Sequence, residues 1–225
     1  MFSFEGPGFF RNIWHAIGLL FWHLIFKVFN RVRVIGQENI PRRGEYGALI
    51  LSNHVSAIDP FAIAATSMPF FSPVWWRAPA KAELFRIPVI RNILSTWGAI
   101  PVLRGQRDLE AISRMVALLS SSVIVAFPEG RRSTDGQLLP GRPGMGKVIH
   151  DARPKKIIPV YIKGTDTLLP KGKALPRLFK TVTIHYGQPL DLSHYYLQPE
   201  SIIVSQQIVD EVMGAIARLK QTHQS

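Results

Sequence analysis

The chain of 225 residues contains no cysteine. That excludes disulfides, thiolate metal sites and a cysteine nucleophile. Acidic residues are scarce too: 15 Asp and Glu stand against 27 Lys and Arg, a net charge of +12. Such a balance points to an anionic partner, and nucleic acid, an acidic membrane surface or a phosphorylated substrate would each serve. Several familiar patterns are absent. There is no His-Glu-x-x-His, no Gly-x-Ser-x-Gly elbow, no metal-ligand spacing, no internal repeat and no low-complexity tract. The stretch Gly141–Lys147 imitates the start of a phosphate-binding loop, but Val148 replaces the required Ser/Thr and no strand precedes it. A basic recognition helix, a zinc pattern and an RNA-binding aromatic motif are all missing, which argues against nucleic acid.

The N-terminus lacks the basic start and small-residue cleavage site of a signal peptide. From Asn12 to Phe26 there is no Asp, Glu, Lys or Arg. As a helix this run covers ~22 Å, short of a ~30 Å hydrocarbon core. Asn12, His15, His23, Lys27 and Asn30 fall on one narrow stripe at helical spacing. The rest is rich in Trp, Phe, Leu and Ile, including Trp14, Trp22 and five phenylalanines between Phe9 and Phe29. We read residues 1–33 as a membrane-interface helix, with Arg11, Lys27, Arg31 and Arg33 near its ends for anionic headgroups. A helix packed on the core or at a dimer contact is the plainer alternative.

Residues 34–225 form one domain of ordinary size. Strand-like runs (Arg31–Ile35, Tyr46–Ser52, Val74–Arg77, Ala99–Leu103, Val123–Phe127, Ile157–Lys163, Thr181–Tyr186) alternate with helical ones (Pro60–Ser67, Ile87–Trp97, Asp108–Ser120, Glu200–Lys220). That alternation predicts an α/β fold, a largely parallel central sheet covered by helices on both faces. The Gly/Pro-rich, basic stretch Thr134–Arg153 reads as a mobile loop.

Polar clusters follow several of the strands, where open α/β sheets place their chemistry. After Ala48–Ser52 come His54 and Asp59. Five residues on one helix rotate by ~500°, so the pair can meet only if His54 lies before the helix. Asp59-Pro60 suits that, with Asp59 as N-cap and Pro60 at the first helical position. Asp59 is then either a simple cap or the group that orients His54 as a general base. After Val123–Phe127 comes Pro128-Glu129-Gly130-Arg131-Arg132-Ser133, a turn that is either a solvated loop or an anion cradle. Arg104 follows the Ala99–Leu103 strand, and Lys81 is a weaker basic candidate.

These residues together carry a resemblance. His54-Val55-Ser56-Ala57-Ile58-Asp59, Gly98–Arg104, Phe127–Ser133 and Ile157–Ile162 resemble, in order and spacing, the four motifs of the glycerophospholipid acyltransferase family. The match covers roughly residues 34 to 190. Two departures stand out: Arg131 takes the place of the family's usual Thr, and Val102-Leu103 precede Arg104 where an acidic residue is common. The resemblance implies a membrane-associated enzyme on the cytoplasmic face. It would move a fatty acyl group from acyl-CoA or an acyl carrier protein, as co-substrate rather than resident cofactor, to the free hydroxyl of 1-acylglycerol 3-phosphate. His54, oriented by Asp59, would be the base, with Arg104, Glu129, Gly130, Arg132 and Lys81 binding the phosphate and glycerol. Another phosphorylated glycerol or lysolipid acceptor, or a non-catalytic lipid-binding protein, are the competing readings.

Overall fold

The computed structural model describes residues 9–42, 44–68, 76–103, 108–173 and 175–223, with the side chains of 9–12 left aside. The first helix, α1 (Phe9–His23), runs into a wide π-helical turn at Leu24–Val28 and then into β1 (Arg31–Ile35). There follow β2 (Ala48–Ser52), α2 (Asp59–Ser67), β3 (Trp76–Arg77), β4 (Pro79–Lys81), α3 (Pro88–Thr96), β5 (Ile100–Val102), α4 (Leu109–Leu119) and β6 (Val123–Ala126). The chain continues through α5 (Pro143–Ala152), β7 (Lys156–Lys163), α6 (Thr165–Leu168), β8 (Thr181–Tyr186) and α7 (Ile202–Gln221).

Six strands form one sheet in the order β1-β8-β7-β2-β6-β3. The central strands β7, β2 and β6 and the edge strand β3 are parallel, β8 runs antiparallel to β7, and β1 is parallel to β8. The central strands are Val/Ile-rich because both of their faces are buried. Alternate residues feed two separate cores. Ile50, Val125 and Val160 pack with α1 and α2 through Leu19, Phe26 and Ile63. Leu49, Leu51, Ile124 and Tyr161 pack with α4, α5 and α7 through Met115, Ile149 and Val212. The result is the helix–sheet–helix layering that the alternating pattern predicts.

Two details differ from the sequence reading. The strand at Ile100–Val102 does not join the main sheet; it pairs with β4 in a two-stranded sheet of its own. Of the Val74–Arg77 run, residues 74 and 75 lie outside the described residues. Thr134–Arg153 is not all loop, because Pro143–Ala152 is a helix with Met145, Val148, Ile149 and His150 buried. Pro143 suits the first helical turn. Gly146 is required where α5 crosses α7, since a Cβ there would sit 1.7 Å from the carbonyl oxygen of Ser205. One of the glycines that spoil the helical signal thus serves a close packing.

The polar stripe of α1 also behaves unexpectedly. His15 and Asn30 are buried, and Asn30 is tied to Ile25 and Lys180. The apolar stripe faces outward instead: Ile13, Ile17, Leu20, Leu24 and Val28 are all exposed. Among the described residues no helix is long and apolar enough to cross a membrane.

Candidate active site

The parallel strands β2, β6 and β7 end at one edge of the sheet, and the loops leaving them converge. At the end of β2, Asn53 continues the ladder with its side chain. Its Nδ2 donates to the Ile162 carbonyl (3.0 Å), and its Oδ1 accepts from the Ile162 N–H (2.8 Å). The next residue, His54, is thereby held just past the strand, 7% exposed. Its ring lies flat on that of Phe127 from the end of β6, with centroids 4.0 Å apart and planes 18° apart. Its carbonyl accepts from the Ser133 N–H at 2.8 Å, so the loops after β2 and β6 are stitched together at the histidine.

Asp59 does meet His54: Nδ1 and Oδ2 are 2.8 Å apart. Asp59 is not the N-cap, however. It is the first residue of α2, with Ile58 in the cap position. Its carboxylate turns back to accept the N–H groups of Val55 (2.7 Å) and Ser56 (2.8 Å). The other oxygen accepts from Thr165 Oγ1. Four donors thus satisfy a fully buried carboxylate. Because Asp59 only accepts, Nδ1 of His54 carries the proton and Nε2 keeps its lone pair. Among the described residues nothing hydrogen-bonds Nε2. This leaves an oriented, unoccupied proton acceptor at the sheet edge.

Glu129 lies beneath the same loop, 1% exposed. Its Oε1 accepts a long bond from the His54 N–H (3.4 Å), while Oε2 is buried without a partner among the described residues. Burial pushes its carboxyl up to about 7, the N–H groups of His54 and Leu139 and the Arg131 charge oppose the rise, and the Asp59 charge adds to it. Gly130 turns the chain with φ +68°, a conformation glycine adopts without strain. A Cβ there would come within 2.9 Å of Cδ of Arg142, and the Arg142 N–H bonds the Pro128 carbonyl at 2.9 Å. Arg131, Arg132 and Arg142, all exposed, therefore flank one glycine turn.

Two sequence candidates have no contact with this constellation among the described residues. Lys81 closes β4 in the small sheet and pairs with Glu83 at 3.4 Å, both groups nearly half exposed. Arg104 lies outside the described residues. Thr165 and Arg142 were not singled out from sequence. Thr165 is 106 residues from its partner Asp59, and Arg142 sits in the stretch set aside as a false phosphate loop. Among the described residues no group of three or more His, Asp or Glu is placed to hold a metal ion.

The acyltransferase family model matches residues 31–163, the span that holds every contact of His54 and Asp59 except the one to Thr165. The chain belongs to the acyltransferase family. It is 27% identical over 165 residues to a chloroplastic 1-acyl-sn-glycerol-3-phosphate acyltransferase of Arabidopsis thaliana, covering 72% of this chain and 44% of that protein. It is 30% identical over 186 residues to Tafazzin of Drosophila melanogaster, covering 76% and 47% respectively. A 1-acyl-sn-glycerol-3-phosphate acyltransferase of Neisseria gonorrhoeae is 32% identical over 112 residues, 48% of this chain and 41% of that one. The chain spans about half the length of the curated relatives it matches. Its fold is similar to that of the crystal structure of the 1-acyl-sn-glycerophosphate acyltransferase PlsC from Thermotoga maritima, with a TM-score of 0.64 at 23% identity over 94% of this chain and 83% of that one.

Proposed function

We propose that this acyltransferase joins a fatty acyl group from a thioester, acyl-CoA or acyl carrier protein, to the free hydroxyl of 1-acylglycerol 3-phosphate, giving phosphatidate. The observation that carries the reading is the His54–Asp59 pair, with Nδ1 held at 2.8 Å and Nε2 open at the edge where three loops converge. Nε2 takes the proton of the acceptor hydroxyl as its oxygen attacks the thioester carbonyl. Asp59 steadies the imidazolium so formed. The tetrahedral intermediate collapses, the C–S bond breaks, and the departing thiolate takes the proton back from Nε2. No acyl-enzyme is needed.

The acceptor phosphate is assigned to the basic turn, where Gly130 makes room for the Arg142 side chain and Arg132 and Arg142 supply forked donors. Arg104 and Lys81 are assigned to the same task on the strength of the motif resemblance. Glu129 braces the loop that carries both the base and the turn. The exposed apolar stripe of α1 would rest in the headgroup region of an anionic bilayer, on the cytoplasmic face, so that acceptor and product need not leave the lipid.

The test is thiol release from palmitoyl-CoA by purified protein in detergent, with and without lysophosphatidate. Release that requires the acceptor and disappears in His54→Ala supports the reading. Release from neither CoA nor carrier-protein thioesters, across a panel of acceptors, would discard it in favour of a lipid-binding protein.

A further inference from the structure

The segment of residues 169–180 between α6 and β8 is rooted at the active site on one side and at the junction between the π-helical turn and β1 on the other. At its start, the Leu169 carbonyl accepts from Oγ of Ser56 (3.1 Å), the residue whose N–H is held by Asp59. At its end, the Phe179 N–H donates to the Phe29 carbonyl (2.9 Å), and the Lys180 N–H donates to Oδ1 of Asn30 (2.7 Å). Between these roots Leu175, Leu178 and Phe179 stay out of the core. Leu175 is 80% exposed and Phe179 85%. Phe179 also has φ +58°, a left-handed conformation sterically costly for a residue with a ring. Burial of the ring does not offset that cost, so folding alone leaves this phenylalanine unexplained.

The charges around it have one sign. Lys171, Lys173 and Arg177 are exposed alongside, and no Asp or Glu occurs between Asp166 and Asp191. Across the Phe29 junction the exposed Val28 and Phe29 of the first helical segment continue the apolar surface, with Lys27 and Arg31 beside them. Single apolar side chains projecting between cations are the chemistry of an anionic lipid interface: the rings and leucines enter the acyl boundary and the cations meet phosphates.

We infer that the Leu175–Phe179 tip is a second membrane anchor, docking on anionic lipid beside α1 and holding the His54 edge against the bilayer. This rests on the reading of the acceptor as a lysophospholipid presented in a membrane. Its test does not depend on turnover. Full-length protein is floated with phosphatidylcholine vesicles with and without phosphatidylglycerol. Phe179→Gly is expected to lower binding to the anionic vesicles about tenfold while leaving thermal stability equal or higher, because the strain is relieved. A purely structural role for the ring predicts lower stability and unchanged binding. Lys171→Gln with Lys173→Gln is expected to lower binding about fivefold per cation on the anionic vesicles and little on neutral ones. Acyl transfer to a short-chain, monomeric acceptor should survive Phe179→Gly while transfer to a vesicle-borne acceptor falls. Absence of turnover in the unmodified protein would defeat the proposed function and leave the flotation result standing. Unchanged flotation in both variants, or loss of binding to an acidic carrier protein alone, would overturn the anchor.

Discussion

His54 and Asp59 are five positions apart in the chain and 2.8 Å apart through Nδ1 and Oδ2. They meet because the histidine stays at the end of β2 while the aspartate opens α2 and folds its carboxylate backwards. The two groups should therefore fail differently when removed. His54→Ala deletes the proton acceptor but leaves Asp59 with the N–H groups of Val55 and Ser56 and the Thr165 hydroxyl. It should fold normally and lose about a hundredfold to ten-thousandfold in kcat. Asp59→Ala strands several buried donors and should lose comparable activity together with about 3 kcal/mol or more of stability. Turnover and urea midpoints of the two variants measure this. A fully active His54→Ala would refute the base assignment.

Thr165 offers a finer test. Its hydroxyl donates to Oδ1 of Asp59 from the far side, and Gly164 before it, at φ +92°, sets the turn that aims it. Thr165→Val keeps the shape and removes the donor. It should cost about 1–2 kcal/mol and lower kcat with little change in KM, whereas Thr165→Ser should restore both. Equal behaviour of Val and Ser at this position would reduce Thr165 to a packing residue.

The parts of this molecule that sequence reveals are those specified by neighbours in the chain. β1 and β8 occupy the residues the alternation assigns to them, and α4 and α7 carry ordinary caps, Asp108 on the Ala111 N–H and Ser201 on the Val204 N–H. The meeting of His54 with Asp59 follows from the proline in the first turn of α2. What stays hidden is set by distant contacts. The cap rule places Asp59 one position early and misses that its carboxylate serves Thr165. β4 is three residues opening on a proline, too short for any periodicity to show, and the strand read at Ala99–Leu103 carries no mark that it pairs with β4 rather than with the main sheet. In α5 a tertiary contact overrides helix propensity, since glycine is the residue that admits the Ser205 carbonyl.

That last point separates two glycines on one helix. A Cβ on Gly144 would meet nothing nearer than Cδ1 of Ile112 at 3.7 Å, whereas one on Gly146 would collide with backbone at 1.7 Å. Gly144→Ala should stabilise the protein by about 0.5–1 kcal/mol through the unfolded chain and helix propensity. Gly146→Ala should destabilise it by about 3 kcal/mol or more by prising α5 from α7. Thermal melts of the two variants decide this, and similar shifts in both would show that the α5–α7 contact is not close.

Glu129 gives the fold a pH dependence of unusual sign. Its carboxyl titrates at about 7 in the folded protein against an ordinary value of 4.5, chiefly because burial disfavours the charge. The folded state therefore binds more protons than the unfolded chain between those values. The contribution of the neutral carboxyl is fully present below 4.5 and is lost as pH rises through about 7. At pH 8 the loss amounts to up to about 3 kcal/mol. Glu129→Gln keeps an acceptor for the His54 N–H and has no charge to bury. It should match the parent near pH 4.5 and exceed it by that amount at pH 8, read from urea unfolding at both values. Parallel stability profiles for the two proteins would mean that Glu129 is charged in the fold, with a cation supplied to Oε2.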